Sequence, residues 1–391
     1  MVLSESADLP AIMGGSPIFP GGLPVARPSV PDAGRVTADI QRILESGMLT
    51  NGPYVRELEA RAADYLGVRH CVAVASCTAG LMLVLRASDL TGDVVIPSFT
   101  FAATAHAVAW NGLRPVFADV DRESLTLSAS EAARAAGVRT SAILATHTFG
   151  TPCDVEGLTQ AAREAGVRLF FDAAHAFGTR RDGVSAGGWG DAEVFSLTPT
   201  KLVVAGEGGI IATNDDLLAE RCRIGRDYAN PGDYDCLFVG LNARMSEFHA
   251  AIGLASLEGL EARVGSRNEI ARAYRDGLGQ IPGITFPLVR DQDRSTFKDF
   301  VILVEPESFG MDAIKLGLAL KAEGIDTRRY YTPPIHRMKA YRGLNGHRLP
   351  ATEWAADRVL TLPLWSEMSA ADQRGVTSAI HRIQRTAQTG R

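Results

Sequence analysis

The chain has 391 residues, more than one typical hydrophobic core accommodates, so a large domain with a smaller companion is expected. A formal charge of −5, with 22% charged and 46% hydrophobic residues, is ordinary for a globular protein and provides no basic face for nucleic acid. Apolar runs stop at strand length, short of a membrane span, and five scattered cysteines fit neither a disulfide framework nor a zinc site, which points to a reducing cytoplasm.

Residues 1–30 are rich in Pro and Gly and read as an irregular arm, and the acids near its start oppose a signal peptide. Helical periodicity follows from Pro31 to Ser46 and again from Pro53 to Leu66, each stopped by a glycine (Gly47, Gly67). Short apolar runs then alternate with helical segments. Strands are predicted at His70–Ala75, Val94–Pro97, Pro115–Ala118, Ala142–Ala145 and Leu169–Phe171, with helices at 79–88, 102–110, 129–136 and 154–165 between them. Two more strands, Glu193–Phe195 and Gly209–Thr213, flank a lysine at 201. This alternation predicts an α/β fold with a mostly parallel sheet buried on both faces. Helices are expected to dominate from Asp215 to Gly277, and the Gln280-Ile-Pro-Gly283 point divides a large domain (31–280) from a small C-terminal α+β domain (281–391). Within the small domain, strands are expected at Asp299–Val304 and Ile325–Arg329, with a helix at 311–322 and closing helices.

In an open parallel sheet, ligands sit beyond the carboxyl ends of the strands. Asp172 stands at such an end. Lys201 follows 29 residues later in Phe195-Ser-Leu-Thr-Pro-Thr-Lys201, bordered by Leu197, Leu202, Val203 and Val204. Apolar neighbours depress a lysine's pKa toward the neutral amine that attacks an aldehyde. A carboxylate paired with such a lysine is what pyridoxal 5'-phosphate (PLP) chemistry requires, the acid keeping the pyridine nitrogen protonated. Ser76-Cys-Thr-Ala-Gly80 reads as a strand-to-helix turn able to hold the phosphate, through Thr78 and Ala79, with the Ser196 hydroxyl opposite. Taken alone, this turn is equally well an N-cap, Asp172 a turn aspartate and Lys201 a surface lysine. Cys77 reads as a small packing residue. Phe101, at the end of Pro97-Ser-Phe-Thr-Phe101, is placed to cover the ring, and His175 to contact the ring or its 3'-oxygen. Gly206-Glu-Gly-Gly209 lacks the G-x-G-x-x-G spacing of a dinucleotide site, and no ligand pattern calls for a metal.

These segments, with Phe171-Asp-Ala-Ala-His-Ala-Phe-Gly178 and Gly240-Leu-Asn-Ala-Arg-Met-Ser-Glu247, resemble the DegT/StrS family of sugar aminotransferases, PLP enzymes of fold type I. The similarity runs in order from about Leu23 to the C-terminal helices. It implies that Lys201 bonds the cofactor aldehyde, that Asp172 partners the pyridinium and that Phe101 stacks on the ring. Thr78, Ala79 and Ser196 then hold the phosphate, joined by Asn242 reaching across a homodimer with shared active sites. The resemblance further implies that Arg244 binds a substrate carboxylate or phosphate, and that Tyr331, His336 and Thr50 lie along the path of a sugar nucleotide. Family members often have Gln where His175 stands. The implied reaction takes the amino group of L-glutamate, carries it as the amine form PMP and delivers it to a keto sugar nucleotide. The form Asp-Ala-Ala-His-Ala-Phe-Gly favours C4 of a dTDP-linked 4-keto-6-deoxyhexose. Amination at C3, a PLP-dependent sugar dehydratase and a non-catalytic regulator remain as alternatives, although Lys201 and Asp172 speak against the last two.

Overall fold

The computed structural model describes residues 9–344 and 348–389, so the first eight residues of the expected arm lie outside it. Helix α1 (Ala33–Ser46) begins where the Asp32 side chain accepts a hydrogen bond from the Arg35 N–H, and it ends at Gly47 with φ +67°. Helix α2 (Pro53–Leu66) has no cap of its own, because Gly52 occupies the N-cap. The buried Glu247 carboxylate substitutes for one, accepting from the N–H groups of Gly52, Tyr54 and Val55 at 2.8, 2.9 and 3.0 Å. A distant acid thereby fixes the Thr50–Gly52 turn.

From there strand and helix alternate: β1 (His70–Val74), α3 (Cys77–Ala87), β2 (Asp93–Pro97), α4 (Ala102–Trp110), β3 (Arg114–Ala118), α5 (Ala129–Ala135), β4 (Thr140–Thr146), α6 (Val155–Ala165) and β5 (Arg168–Asp172). A small hairpin, β6 (Arg180–Arg181) and β7 (Val184–Ser185), precedes β8 (Ala192–Ser196) and β9 (Gly209–Thr213). The seven long strands form one sheet in the order β1-β9-β8-β5-β4-β2-β3. The five from β8 to β3 are parallel, and β9 runs antiparallel to both its neighbours. The sheet is mostly parallel, as the alternation predicts. Its strands are apolar because helices cover both faces: α3 and α4 on one side, α2, α5 and α6 on the other.

Helix α7 (Asp216–Gly225) is followed by an irregular stretch, residues 226–246, before α8 (Glu247–Leu257) and α9 (Leu260–Leu278). The expected helical run from 215 to 277 is therefore interrupted. Asn230-Pro-Gly232 and the positive φ of Tyr228, Ala229 and Tyr234 break it, and Gly225 and Arg226 carbonyls accept from Leu241 and Ala243 instead. A second sheet, antiparallel in the order β10-β11-β12, comprises β10 (Ile284–Thr285), β11 (Phe300–Val304) and β12 (Val359–Leu362). Around it lie α10 (Pro306–Phe309), α11 (Ala313–Ala322), α12 (Pro350–Arg358) and α13 (Ala370–Thr389). The strand expected at 325–329 is not formed. That segment makes single bridges at Ile325 with Leu23 and at Arg328 with Thr361, lying between two segments that each offer one contact point. Helix α9 joins the two cores: Leu260 and Val264 pack with α2, whereas Ile270, Tyr274 and Leu278 pack with β11, β12, α13 and Leu23 of the arm. Among the described residues no helix is long and apolar enough to cross a membrane.

Candidate active site

The carboxyl ends of β1, β5 and β8 surround a cavity of 370 Å³ whose walls include Asp172 and Lys201. Asp172, the last residue of β5, is 3% exposed. Its carboxylate accepts from Thr104 Oγ1 at 2.7 Å and from the Ala174 N–H at 3.1 Å. Burial raises its pKa above the ordinary carboxylate value, while both hydrogen bonds and the nearby Lys201 act the other way. Neutral groups thus orient the carboxylate, and among the described residues no cation hydrogen-bonds it. Lys201 leaves the turn after β8. Burial, followed by the positive charge of Lys298, lowers its pKa to about 8. An amine so placed is substantially neutral in mildly alkaline solution, as a nucleophile must be.

At the end of β1 the chain turns at Ser76 into α3. The Ser76 hydroxyl caps this helix by accepting from the Ala79 N–H at 3.1 Å. Cys77 and Thr78, in the first turn, line the cavity, and their N–H groups have no intrahelical partner. The helix dipole there favours an anion. Close packing holds this turn in place. A Cβ at Gly209 would stand 2.7 Å from the Cys77 nitrogen, and one at Gly80 would stand 2.7 Å from Val194 Cγ1. Cys77 itself is inert: its thiol is buried with its pKa raised by burial, and it donates to the Val194 carbonyl at 3.4 Å. Ser196 faces the cavity with Thr198 and Thr200. Phe101 is 63% exposed at the mouth, a free aromatic face beside the site. His175 also lines the cavity. Its Nδ1 is buried without a hydrogen-bond partner, and burial holds the imidazole neutral, far below its ordinary pKa.

The structure therefore brings Thr78, Phe101, Asp172, His175, Ser196, Lys201 and Tyr331 together around one cavity. Tyr331 is 7% exposed, parallel to Phe149 at 5.8 Å and edge-on to Phe99 at 5.6 Å. Ala79 is not on the wall, and its N–H is already bonded to Ser76. His336 lies behind the site, where Nδ1 meets Ser98 Oγ at 2.7 Å, tying its loop to the end of β2. Thr50, Asn242 and Arg244 lie off this chain's cavity: Thr50 donates to the Met245 carbonyl at 2.9 Å, Asn242 is exposed, and Arg244 is paired with Asp227. Among the wall and support residues that escaped sequence reasoning, four stand out. Lys298 and Asp299, a buried ion pair at 2.8 Å, enter from the head of β11. Thr104 reaches Asp172 from the first turn of α4, and Glu207 stands at the rim. A signal existed for three of them: a Lys-Asp pair opening a fully apolar strand, and a hydroxyl three residues after Phe101 on the same helix end.

A seven-stranded, mostly parallel sheet that brings an acid and a lysine to one cavity defines the class, and comparison supplies the family. The chain's residues 32–381 match the DegT/DnrJ/EryC1/StrS aminotransferase family. It is 34% identical to the dTDP-4-amino-4,6-dideoxy-D-glucose transaminase of Escherichia coli, over 89% of this chain and 95% of that protein. It is also 34% identical to the spore coat polysaccharide biosynthesis protein SpsC of Bacillus subtilis strain 168, over 89% and 94% of the two chains. Among solved structures, DesI in the presence of its TDP-sugar product superposes with a TM-score of 0.92 at 39% identity, covering 98% of this chain and 97% of that one. An aminotransferase from Brucella abortus superposes with a TM-score of 0.83 at 32% identity, covering 90% and 95%. The chain belongs to the DegT/DnrJ/EryC1/StrS family and is an aminotransferase with the fold of the PLP-dependent sugar aminotransferases.

Proposed function

We propose that this enzyme binds PLP at Lys201 and Asp172 and moves the amino group of L-glutamate to a keto sugar nucleotide, a dTDP-linked 4-keto-6-deoxyhexose aminated at C4. The observation that carries this reading is the facing pair itself: a buried carboxylate hydrogen-bonded only by neutral groups, and a lysine whose amine burial drives toward neutrality. The residues fit the cofactor. Asp172 lacks a hydrogen-bonded cation, which a protonated pyridine nitrogen supplies; the α3 N-terminus with Thr78 and Ser196 suits a phosphate; and the His175 Nδ1 orphan suits a polar ring substituent. The substrate class is supported by the relatives' names, which specify a dTDP-4-amino-4,6-dideoxyglucose and a TDP-sugar product.

When bound, PLP supplies an aldehyde that accepts amines and a ring that accepts electrons from the adjoining carbon. The protein's own contributions follow from the geometry. Thr104 Oγ1 and the Ala174 N–H hold the Asp172 carboxylate at the cavity floor, where it fixes a positive charge. Lys201 Nζ, free of a tight ion pair, takes up and returns a proton, serving as base and then acid. Phe101 presents its face at the mouth, and Tyr331 walls off water from the β11 side. Asn242 and Arg244, lying off this chain's cavity, act in this proposal across a homodimer, where Asn242 reaches the phosphate and Arg244 a substrate anion. Exposed Tyr234, Leu237 and Val239 beside them provide an apolar surface for the second copy. A reducing cytoplasm is the proposed setting, consistent with five unpaired cysteines, four of them buried.

The test is kcat/KM for the keto sugar with and without its nucleoside diphosphate, because remote binding energy orients the ketone. The attached nucleotide is expected to raise kcat/KM by at least about 100-fold, ~2.7 kcal/mol. Equal values would end the sugar-nucleotide assignment.

A further inference from the structure

Two lysines meet in this cavity. Lys201 and Lys298 both line it, and together with His175 they also enclose a cleft beneath it that admits no water-sized sphere. Two amines confined in so tight a space cannot both hold a proton cheaply, since like charges in a poorly solvated site each disfavour the other. Which one is charged depends on the acids within reach. Asp299 hydrogen-bonds Lys298 Nζ at 2.8 Å, and both members are nearly inaccessible, at 6% and 7% exposure. The pair is anchored through its backbone: the Lys298 N–H donates to the Phe149 carbonyl, and its own carbonyl accepts from Arg267 at 3.0 Å.

The other groups around Lys201 do not reverse this choice. Asp172 on β5 is bonded to Thr104 and Ala174 rather than to the amine. The Cys77 thiol on α3 is kept protonated by burial, and the His175 imidazole is kept neutral by it. Arg267 on α9, itself buried, adds positive charge on the Lys298 side. Glu207 is exposed at the rim, and burial raises the phenol of Tyr331 so that it remains neutral.

We propose that Lys298 is a positioning residue for amino transfer: clamped by Asp299, it holds the positive charge of this buried corner, so that Lys201 stays a neutral amine. The inference rests on the assignment of Lys201 as the reacting lysine, and its test requires neither cofactor nor substrate, so the two stand or fall separately. The full chain is dialysed against hydroxylamine to free any carbonyl-bound amine. It is then labelled with trace acetic anhydride from pH 6 to 11, and each lysine peptide is quantified by mass spectrometry. The titration midpoint of Lys201 should lie near pH 8 in the native protein. In Lys298→Met the Lys201 midpoint should rise by at least about one pH unit, which lowers its labelling at pH 7.5 about ten-fold. Lys298→Arg, which keeps the charge, should leave the Lys201 midpoint near the native one. A native Lys201 midpoint at the ordinary lysine value of 10.5 would overturn the proposal even if the Met variant failed to fold. So would an unchanged Lys201 midpoint in a folded Lys298→Met protein.

Discussion

The cavity has two walls of different origin, and each presents a buried aspartate. On the strand-end wall, Asp172 is held by a hydroxyl and a backbone N–H, with no cation bonded to it. On the wall from β11, Asp299 is bonded to the lysine beside it in sequence. Burying an ionised carboxylate is costly unless it is paired. Asp299 is paired with a cation, whereas Asp172 is hydrogen-bonded by neutral groups. A buried acid held only by neutral groups is therefore the stronger candidate for chemistry, with the paired neighbour as its electrostatic background.

The largest effect expected from breaking this contrast is at Lys201. Lys201→Met should lower kcat by at least about 10³-fold, since it removes the group that moves the proton. The same variant sharpens the comparison through stability. Folding lowers the Lys201 pKa from its ordinary 10.5 to about 8, so the unfolded chain binds more protons between those values and stability rises with pH across that window. Below pH 8 the native state bears the full cost of a charged, desolvated amine. Cofactor-free Lys201→Met should therefore melt above the native protein at pH 6.5, with the gap closing as pH rises from 8 toward 10.5. A variant that melts lower at every pH would show that Lys201 is not strained by burial.

Next in size is Asp172→Asn. It should retain cofactor but lose about 100-fold in kcat, ~2.7 kcal/mol, because a neutral amide cannot fix a positive charge. Turnover near that of the native enzyme would remove Asp172 from its role. The smallest effect is at Thr104→Val, which takes the hydroxyl from Asp172 and leaves its buried oxygen one donor short. A loss of about 1–3 kcal/mol in stability is expected, measured by urea unfolding, with kcat falling less than in Asp172→Asn. If Thr104→Val were as inactive as Asp172→Asn, Thr104 would be touching substrate or cofactor directly.

The strand-end wall was legible in the sequence, and the β11 wall was not. Asp172 ends one short apolar strand and Lys201 follows another in the next turn, and the alternation of such strands with helices announces a parallel sheet that collects its strand ends in one place. Lys298 and Asp299 reach the same cavity through the Lys298 N–H bond to the Phe149 carbonyl, 149 residues earlier, and the Lys-Asp pair that opens the strand does not encode that approach. β12 was hidden for a related reason, as four residues between the close of α12 at Arg358 and Pro363. Residues 226–246 interrupt the helices that dominate this region, because Pro231, Gly232 and three positive-φ residues override helical periodicity. At Ala79 the plainer of the two readings its sequence allowed is the one on view, its N–H donating to the capping Ser76 hydroxyl.

The most direct test of the account uses the two lysines against each other. The protein is incubated with pyridoxal 5'-phosphate, reduced with borohydride and digested, and the pyridoxyl adduct is located by mass spectrometry. The account predicts a single dominant adduct on Lys201, with Lys298 unmodified. An adduct on Lys298, or none on either lysine, would contradict it.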